Sequence, residues 1–115
     1  MLIRLDPASD APLYEQIAGQ LRRALAEGTV SAGERLPTAR DLASGLGVNM
    51  HTVLRAYQTL RDEQLVEMRR SRGVVVTAEA TERVQLSELA RSLVHEARRA
   101  GLHDAEIRTL LEAQL

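Results

Sequence analysis

The sequence between residues 33 and 60 reads GERLPTARDLASGLGVNMHTVLRAYQTL. Two helix-capping signals divide this stretch. Thr38 followed by Asp41 forms a T-x-x-D pair similar to a capping box, and Asn49 is a strong N-cap residue. They predict a short helix after Thr38 and a second helix over about 50–63, separated by a glycine-containing turn. This arrangement is typical of a helix-turn-helix.

A further helix is predicted upstream, over about residues 12–27. Pro12 suits the first turn because it needs no N–H there and its φ is already helical, and Gly28 suits a left-handed C-terminal cap. Apolar residues recur between them at spacings of three and four, which indicates one buried face. These residues are Tyr14, Ile17, Leu21 and Leu25.

Downstream of the helix-turn-helix the periodicity changes. Residues 65–68 alternate between apolar and polar side chains, and residues 74–77 are β-branched throughout. Two short strands around a polar turn at 69–73 predict a β-hairpin. The order of three helices and a hairpin predicts a mainly α fold with a small β-hairpin, a winged helix-turn-helix domain in residues 1–77.

Residues 78–115 return to a helical pattern, which predicts two amphipathic helices on either side of Gly101. A helical hairpin of this size is too small to close its own core. We therefore expect this segment to form a homodimer, with packing in cis against the winged domain as the alternative. The residues expected at the dimer interface are Leu86, Leu89, Leu93, Ile107, Leu110 and Leu111.

Composition excludes several classes of protein. The 115 residues are 44% hydrophobic and 27% charged, a normal globular balance. Aromatic residues make up only 2%, too few for the stacking platforms that bind single-stranded nucleic acid. Cysteine is absent, which removes disulfides, thiolate metal sites and cysteine nucleophiles. No apolar run approaches the length of a membrane span or a signal peptide, so we expect a cytoplasmic protein.

The net charge of −1 hides an uneven distribution. All 15 basic residues are arginines; residues 35–77 hold seven of them against four acids, and residues 78–115 hold five against seven. Arginine suits bidentate and minor-groove contacts with DNA. A genome that prefers arginine codons would explain the missing lysine, but not this local clustering.

Side chains in the first turns of the predicted recognition helix can reach base edges in the major groove. Asn49, His51, Thr52 and Arg55 occupy those positions, although capping is the default role of Asn49. The hairpin carries Arg69, Arg70 and Arg72 without an acid between them. An arginine-rich wing favours a minor-groove contact, with a solvated turn as the alternative. Tyr14 and Tyr57 are expected to pack in the fold.

Three motifs resemble the DNA-binding domain of the GntR family of bacterial transcription regulators. They are G-x-R-L-P-T-x-R-x-L-A at 33–43, L-G-V-N at 46–49 and T-V-x-R-A-Y-x-x-L at 52–60. The resemblance covers about residues 12–76, and the short helical tail is most similar to the YtrA subfamily. It implies a repressor that binds an inverted-repeat operator as a homodimer, and it leaves a small-molecule effector open without indicating one.

The resemblance also implies that Arg40 contacts DNA from the helix before the turn, with an ion pair to Asp41 as the alternative. The residues expected to bind DNA are Thr38, Arg40, Asn49, His51, Thr52, Arg55, Arg70, Arg72 and Gly73. Many relatives have arginine where Met50 and Leu54 stand, although the YtrA-like group often lacks these arginines. Two further positions depart from the family pattern, which usually has glycine in place of Gln64 and Ser71. A left-handed backbone at Ser71 would cost about 1 kcal/mol.

Enzyme motifs are absent: the sequence has no G-x-S-x-G, no H-E-x-x-H and no phosphate-binding glycine loop. His51, His95 and His103 are scattered without metal-ligand spacing. We expect no catalytic site, no metal and no cofactor. The sequence thus predicts a DNA-binding transcription regulator, and the alternative is a winged-helix module that binds protein instead of DNA.

Overall fold

A computed structural model describes residues 3–115, and its order of elements confirms the predicted winged helix-turn-helix. Local capping chemistry sets the limits of the helices, and the paired β-branched segment forms the hairpin. The elements are α1 (Leu13–Ala26), α2 (Ala39–Leu46), α3 (Met50–Asp62), β1 (Val66–Arg69), β2 (Gly73–Val76), α4 (Ala80–Arg99) and α5 (Asp104–Glu112).

Both predicted N-caps close their helices. The Thr38 hydroxyl oxygen accepts the Asp41 backbone N–H at 3.0 Å, and the Asn49 side-chain oxygen accepts the His51 N–H at 2.7 Å. Gly47 ends α2 with a φ of 70°, in the left-handed region that glycine enters without a Cβ penalty. The turn between α2 and α3 therefore has three residues, as a helix-turn-helix requires.

An aliphatic core lies where α3 packs against both α1 and α2. Its buried residues come from every element of the first compact unit, which ends at Val84. Tyr57 is the one fully buried aromatic residue among the described residues. The largest fully buried side chains are Ile17, Leu21, Val53, Tyr57, Leu60, Leu65, Val66, Val76 and Val84.

The hairpin is antiparallel, with Val66 opposite Val76 and Arg69 opposite Gly73. Its second strand also pairs on its other side with residues 33–36: the Leu36 N–H donates to the Val74 carbonyl at 2.8 Å, and Arg35 bridges Val75. This third segment covers an otherwise open edge of β2. It also ties the wing to the chain that leads into α2.

The segment before α1 is held by two glutamine side chains that act as a strand partner would. Gln16 accepts the Asp6 N–H and donates to the Asp6 and Ala11 carbonyls, while Gln20 accepts the Arg4 N–H and donates to the Arg4 carbonyl. Each amide thus satisfies backbone groups on a segment that has no regular structure. The start of α1 is fixed as a result.

Gln64, at one of the two departures from the family pattern, has a φ of 64° and is the one non-glycine residue with positive φ in residues 3–115. It follows α3 in a Schellman motif, in which the Leu65 N–H donates to the Leu60 carbonyl and the Gln64 N–H to the Arg61 carbonyl. Ser71 does not have the left-handed backbone that would have carried this cost, because the positive φ of the wing turn falls on Gly73.

The second compact unit comprises Gln85–Leu115, so the division by packing lies within α4. Gly101, with a φ of 88°, follows α4, and the Glu106 carboxylate accepts the His103 N–H at the start of α5. Ala97 and Ile107 are buried in this unit. None of the helices in residues 3–115 is long and apolar enough to cross a membrane.

We predict that Gln64→Gly stabilises the protein. Removing the side chain relieves the left-handed strain, and a gain of about 0.5–1 kcal/mol corresponds to a rise of about 2–8 °C in Tm. Thermal unfolding followed by circular dichroism measures the shift. The control is Gln58→Gly, on the exposed face of α3 with ordinary helical backbone, which should lower Tm. A lower Tm for both variants would contradict the strain at Gln64.

Candidate nucleic-acid interface

The relative position of α2 and α3 is fixed by a buried tyrosine. The Tyr57 hydroxyl donates to the Pro37 carbonyl at 2.6 Å, across 20 residues of sequence. Its ring is fully buried, and burial raises the pKa of Tyr57 well above its ordinary value. The expectation that Tyr57 packs in the core is confirmed.

The exposed end of α3 displays the predicted recognition residues. Asn49 and His51 are exposed at its start and Thr52 is half-buried beside them. The oxygen of the Asn49 amide accepts the capping hydrogen bond, which leaves its amide nitrogen as the donor available to a base or phosphate. Capping by Asn49 is confirmed, and contact of these residues with bases stays a prediction.

Arg55, one turn further along α3, lies against the ring of Tyr14 in α1. The guanidinium carbon is 3.8 Å from the ring centroid, within the range of a cation–π interaction. An open groove of about 510 Å³ adjoins this pair, with Pro12, Asn49 and His51 among its lining residues. Nothing in the local spacing of the sequence indicated the contact, because the two residues are far apart in the chain.

Arg40 is exposed on the outer side of α2. The alternative considered for it was an ion pair with Asp41 or another surface acid. Within residues 3–115 its side chain makes no ion pair and no hydrogen bond. The guanidinium of Arg40 is therefore open to an external anion, close in the chain to the exposed Thr38.

At the wing, the three arginines divide into two kinds. The Nε of Arg69 donates to Glu67 at 2.8 Å, so this cation is neutralised on its own strand. Arg70 and Arg72 lie in the exposed turn before Gly73, and neither is paired with an acid anywhere in the described chain. The sequence indicated a cluster of three arginines, and the ion pair with Glu67, two residues before Arg69, neutralises one of them.

Most acids of the 35–77 segment lie beside arginines of the same chain. Glu63 pairs with the buried Arg22, whose Nε lies 2.7 Å from Oε2, and Asp62 lies 3.7 Å from Arg61. With Glu67 on Arg69, three of the four acids lie beside arginines. The remaining surplus is positive and includes the exposed, unpaired groups of Arg40, Arg70 and Arg72.

No group of three or more histidine, cysteine, aspartate or glutamate residues suited to a metal ion occurs between residues 3 and 115. The same part of the chain leaves no buried side-chain nitrogen or oxygen without a hydrogen-bond partner.

Comparison with known proteins identifies relatives over most of the chain. Residues 13–76 match the family described as bacterial regulatory proteins, gntR family. The HTH-type transcriptional repressor YtrA of Bacillus subtilis is 32% identical over 107 aligned positions, which span 88% of this chain and 82% of YtrA. The resemblance seen in the sequence motifs is confirmed.

Solved structures of other regulators have the same fold as this chain. YtrA from Sulfolobus acidocaldarius, a GntR-family transcription factor, is 38% identical with a TM-score of 0.66, and the match covers 82% of this chain and 99% of that one. The DNA-binding domain of AraR in complex with operator ORX1 has a TM-score of 0.58 and covers 64% of this chain and 92% of its own. At 24% identity, the likeness to AraR shows the fold alone.

We predict that Tyr57 stays protonated until the protein unfolds in alkali. Its pKa is raised in the folded state, so its contribution to stability is intact below the unfolded value of about 10 and falls as pH rises above it. Tyr14→Phe leaves Tyr57 as the one tyrosine of the chain. In this variant, tyrosinate absorbance and the loss of the circular dichroism signal should rise together. Tyrosinate at about pH 10 in a protein that is still folded would contradict the prediction.

Proposed function

The chain belongs to the GntR family of bacterial regulatory proteins, and we propose that it represses transcription as a homodimer on an inverted-repeat operator. The family consists of DNA-binding transcription regulators and not of enzymes. The observation that carries the proposal is the set of unpaired arginines around an exposed recognition helix, in a segment where three of the four acids lie beside arginines.

In this proposal α3 lies in the major groove of B-DNA, which admits a helix. Asn49, His51 and Thr52 approach base edges from its first turn, and Arg55 approaches from the next turn. Thr38 and Arg40 contact the phosphate backbone from the start of α2, and such contacts fix the register of a protein on the duplex.

The wing contributes a second contact through Arg70 and Arg72. Arginine side chains are favoured in a narrow minor groove by its negative potential. Gly73 lets the chain turn at a positive φ directly after them. A wing that docked on a protein would be expected to expose apolar side chains at its tip, whereas the turn here consists of two arginines and Ser71.

Repression is proposed from the named activity of the Bacillus relative, since a regulator bound at a promoter blocks polymerase by occupying the site. Operator DNA as the binding partner places the protein in the cytoplasm, where bacterial DNA lies. No small-molecule effector is assigned.

The second compact unit supplies the proposed dimer interface. Leu86 and Leu89 are 65% and 67% exposed on α4, and Leu110 and Leu111 are exposed on α5. Several exposed leucines on a small unit favour association with another molecule, and two-fold dimers are the commonest soluble oligomers. Leu93 is half-buried. Ile107 is buried within one chain, so in the proposed dimer it would pack beneath the exposed leucines and not against the partner.

Selection from a pool of random-sequence DNA duplexes tests the function as a whole. After several rounds, the protein should enrich one inverted repeat, with half-sites separated by about one turn of B-DNA as expected for a two-fold dimer. A pool that stays random, with only weak retention of any duplex, would overturn the proposal.

We predict that the double variant Arg70→Gln, Arg72→Gln binds the enriched duplex more weakly and that its affinity depends less on salt. The slope of log affinity against log salt should lessen by at least about 1.8 per dimer, since each phosphate contact adds about 0.9. Titrations at several salt concentrations measure this slope. Arg108→Gln, at an exposed position of α5, is the control that removes an arginine charge outside the wing, and it should leave the slope unchanged. Equal slopes for all three proteins would contradict a wing contact.

We predict that the double variant Leu86→Glu, Leu89→Glu dissociates the dimer, because it places charges in an apolar interface. Light scattering at micromolar concentration should give twice the 12.7 kDa chain mass for the unmodified protein and the single chain mass for the variant. His95→Glu, on the opposite face of α4, should remain dimeric. An unmodified protein that is monomeric at this concentration would refute the assignment of the segment.

A further inference from the structure

The contact between Arg55 and Tyr14 joins two helices at the edge of the recognition surface. Tyr14 is the second residue of α1 and is half-buried, while Arg55 is exposed in the second turn of α3. The guanidinium lies 3.8 Å from the centroid of the ring. The same groove also exposes His51 and Thr52, so the arginine is held beside the side chains proposed to reach DNA.

We propose that Tyr14 is a positioning residue that holds Arg55 in the conformation in which it contacts DNA. This role rests on the proposed function. A free arginine side chain samples many rotamers, and ordering it on binding costs conformational entropy. A ring that already restricts the guanidinium lowers this cost before DNA arrives, which is the general basis of preorganisation.

The geometry of the contact leaves the arginine able to donate. Stacking uses the face of the guanidinium, whereas its five N–H donors lie in the plane and point outward from its edge. No acid in residues 3–115 pairs with Arg55. By contrast, Glu63 engages the donors of Arg22, and Glu67 engages those of Arg69. Tyr14 therefore orients a cation without consuming its hydrogen-bonding groups.

The ring itself has a defined position. It follows the first residue of α1, and Gln16 ties the start of that helix to the preceding segment by donating to the Ala11 carbonyl at 2.9 Å. The Tyr14 hydroxyl is directed to the neighbouring Glu15 carboxylate at 3.3 Å and not to Arg55. The part of Tyr14 that positions the arginine is thus the face of the ring, which phenylalanine shares.

A double-mutant cycle on the enriched duplex tests this role. Tyr14→Leu removes the ring face and should weaken binding by roughly 5- to 30-fold, the factor that corresponds to one exposed cation–π contact in each protomer. Its salt slope should not change, because Arg55 keeps its charge. Arg55→Gln should weaken binding and, for one phosphate contact per protomer, lessen the slope by about 1.8 per dimer.

In the Arg55→Gln background, Tyr14→Leu should have no further effect on affinity. Tyr14→Phe should bind as tightly as the unmodified protein, because it retains the ring. Thermal unfolding of each variant reports any loss of structure. A positioning role predicts that Tyr14→Leu affects affinity only when Arg55 is present. A general loss of stability would instead weaken binding equally with and without Arg55.

Three results would overturn the proposal. The first is unchanged binding by Tyr14→Leu, and the second is an equal loss in both backgrounds. The third is weak binding by Tyr14→Phe, which would show that the hydroxyl itself contacts DNA. Failure of the unmodified protein to prefer any duplex would instead overturn the proposed function, and the role of Tyr14 with it.

Discussion

The buried hydroxyl of Tyr57, which donates to the Pro37 carbonyl, fixes the helix-turn-helix. Val53, Tyr57 and Leu60 recur at spacings of four and three, so the face of α3 that carries them is committed to the core. The same helical period directs positions 51, 55 and 58 to the opposite, exposed side. The bond to Pro37 then sets the start of α2, and pairing of residues 33–36 with β2 sets the wing. The Tyr57 hydrogen bond, together with the packing of α3 and the strand pairing of residues 33–36, thus determines where the elements of the surface assigned to DNA lie.

Ion pairs within the chain also shape the charge of the surface assigned to DNA. A chain of net charge −1 is not an obvious partner for a polyanion. Arg22 and Glu63 compensate each other where α1 meets the end of α3, and Glu67 compensates Arg69 along β1 of the wing. Apart from Asp41, the charged groups that remain exposed in α2 and the wing turn without an internal partner are the cations of Arg40, Arg70 and Arg72. The local balance, and not the total charge, therefore governs how this surface meets phosphate.

Features governed by local chemistry were predictable from the sequence. The caps at Thr38 and Asn49, the turn at Gly47 and the β-branched strands of the wing depend on residues within a few positions of one another, and the structure has them where they were expected. The stack of Arg55 on Tyr14 and the strand pairing of residues 33–36 join segments that are distant in the chain. No periodicity reports such contacts. Gln64 was predictable only in part. The sequence showed that it replaces the usual family glycine after α3, but not that its backbone is left-handed.

Amide chemical-shift mapping of the isotope-labelled protein bound to its enriched duplex tests the assigned surface most directly. The largest changes should fall at residues 38–40, 49–55 and 70–73, with little change around the Arg22–Glu63 pair on the far end of α3 or along Gln85–Leu115. Changes concentrated in Gln85–Leu115, or around Arg22 and Glu63 with the start of α3 unaffected, would contradict the assignment of this surface to DNA.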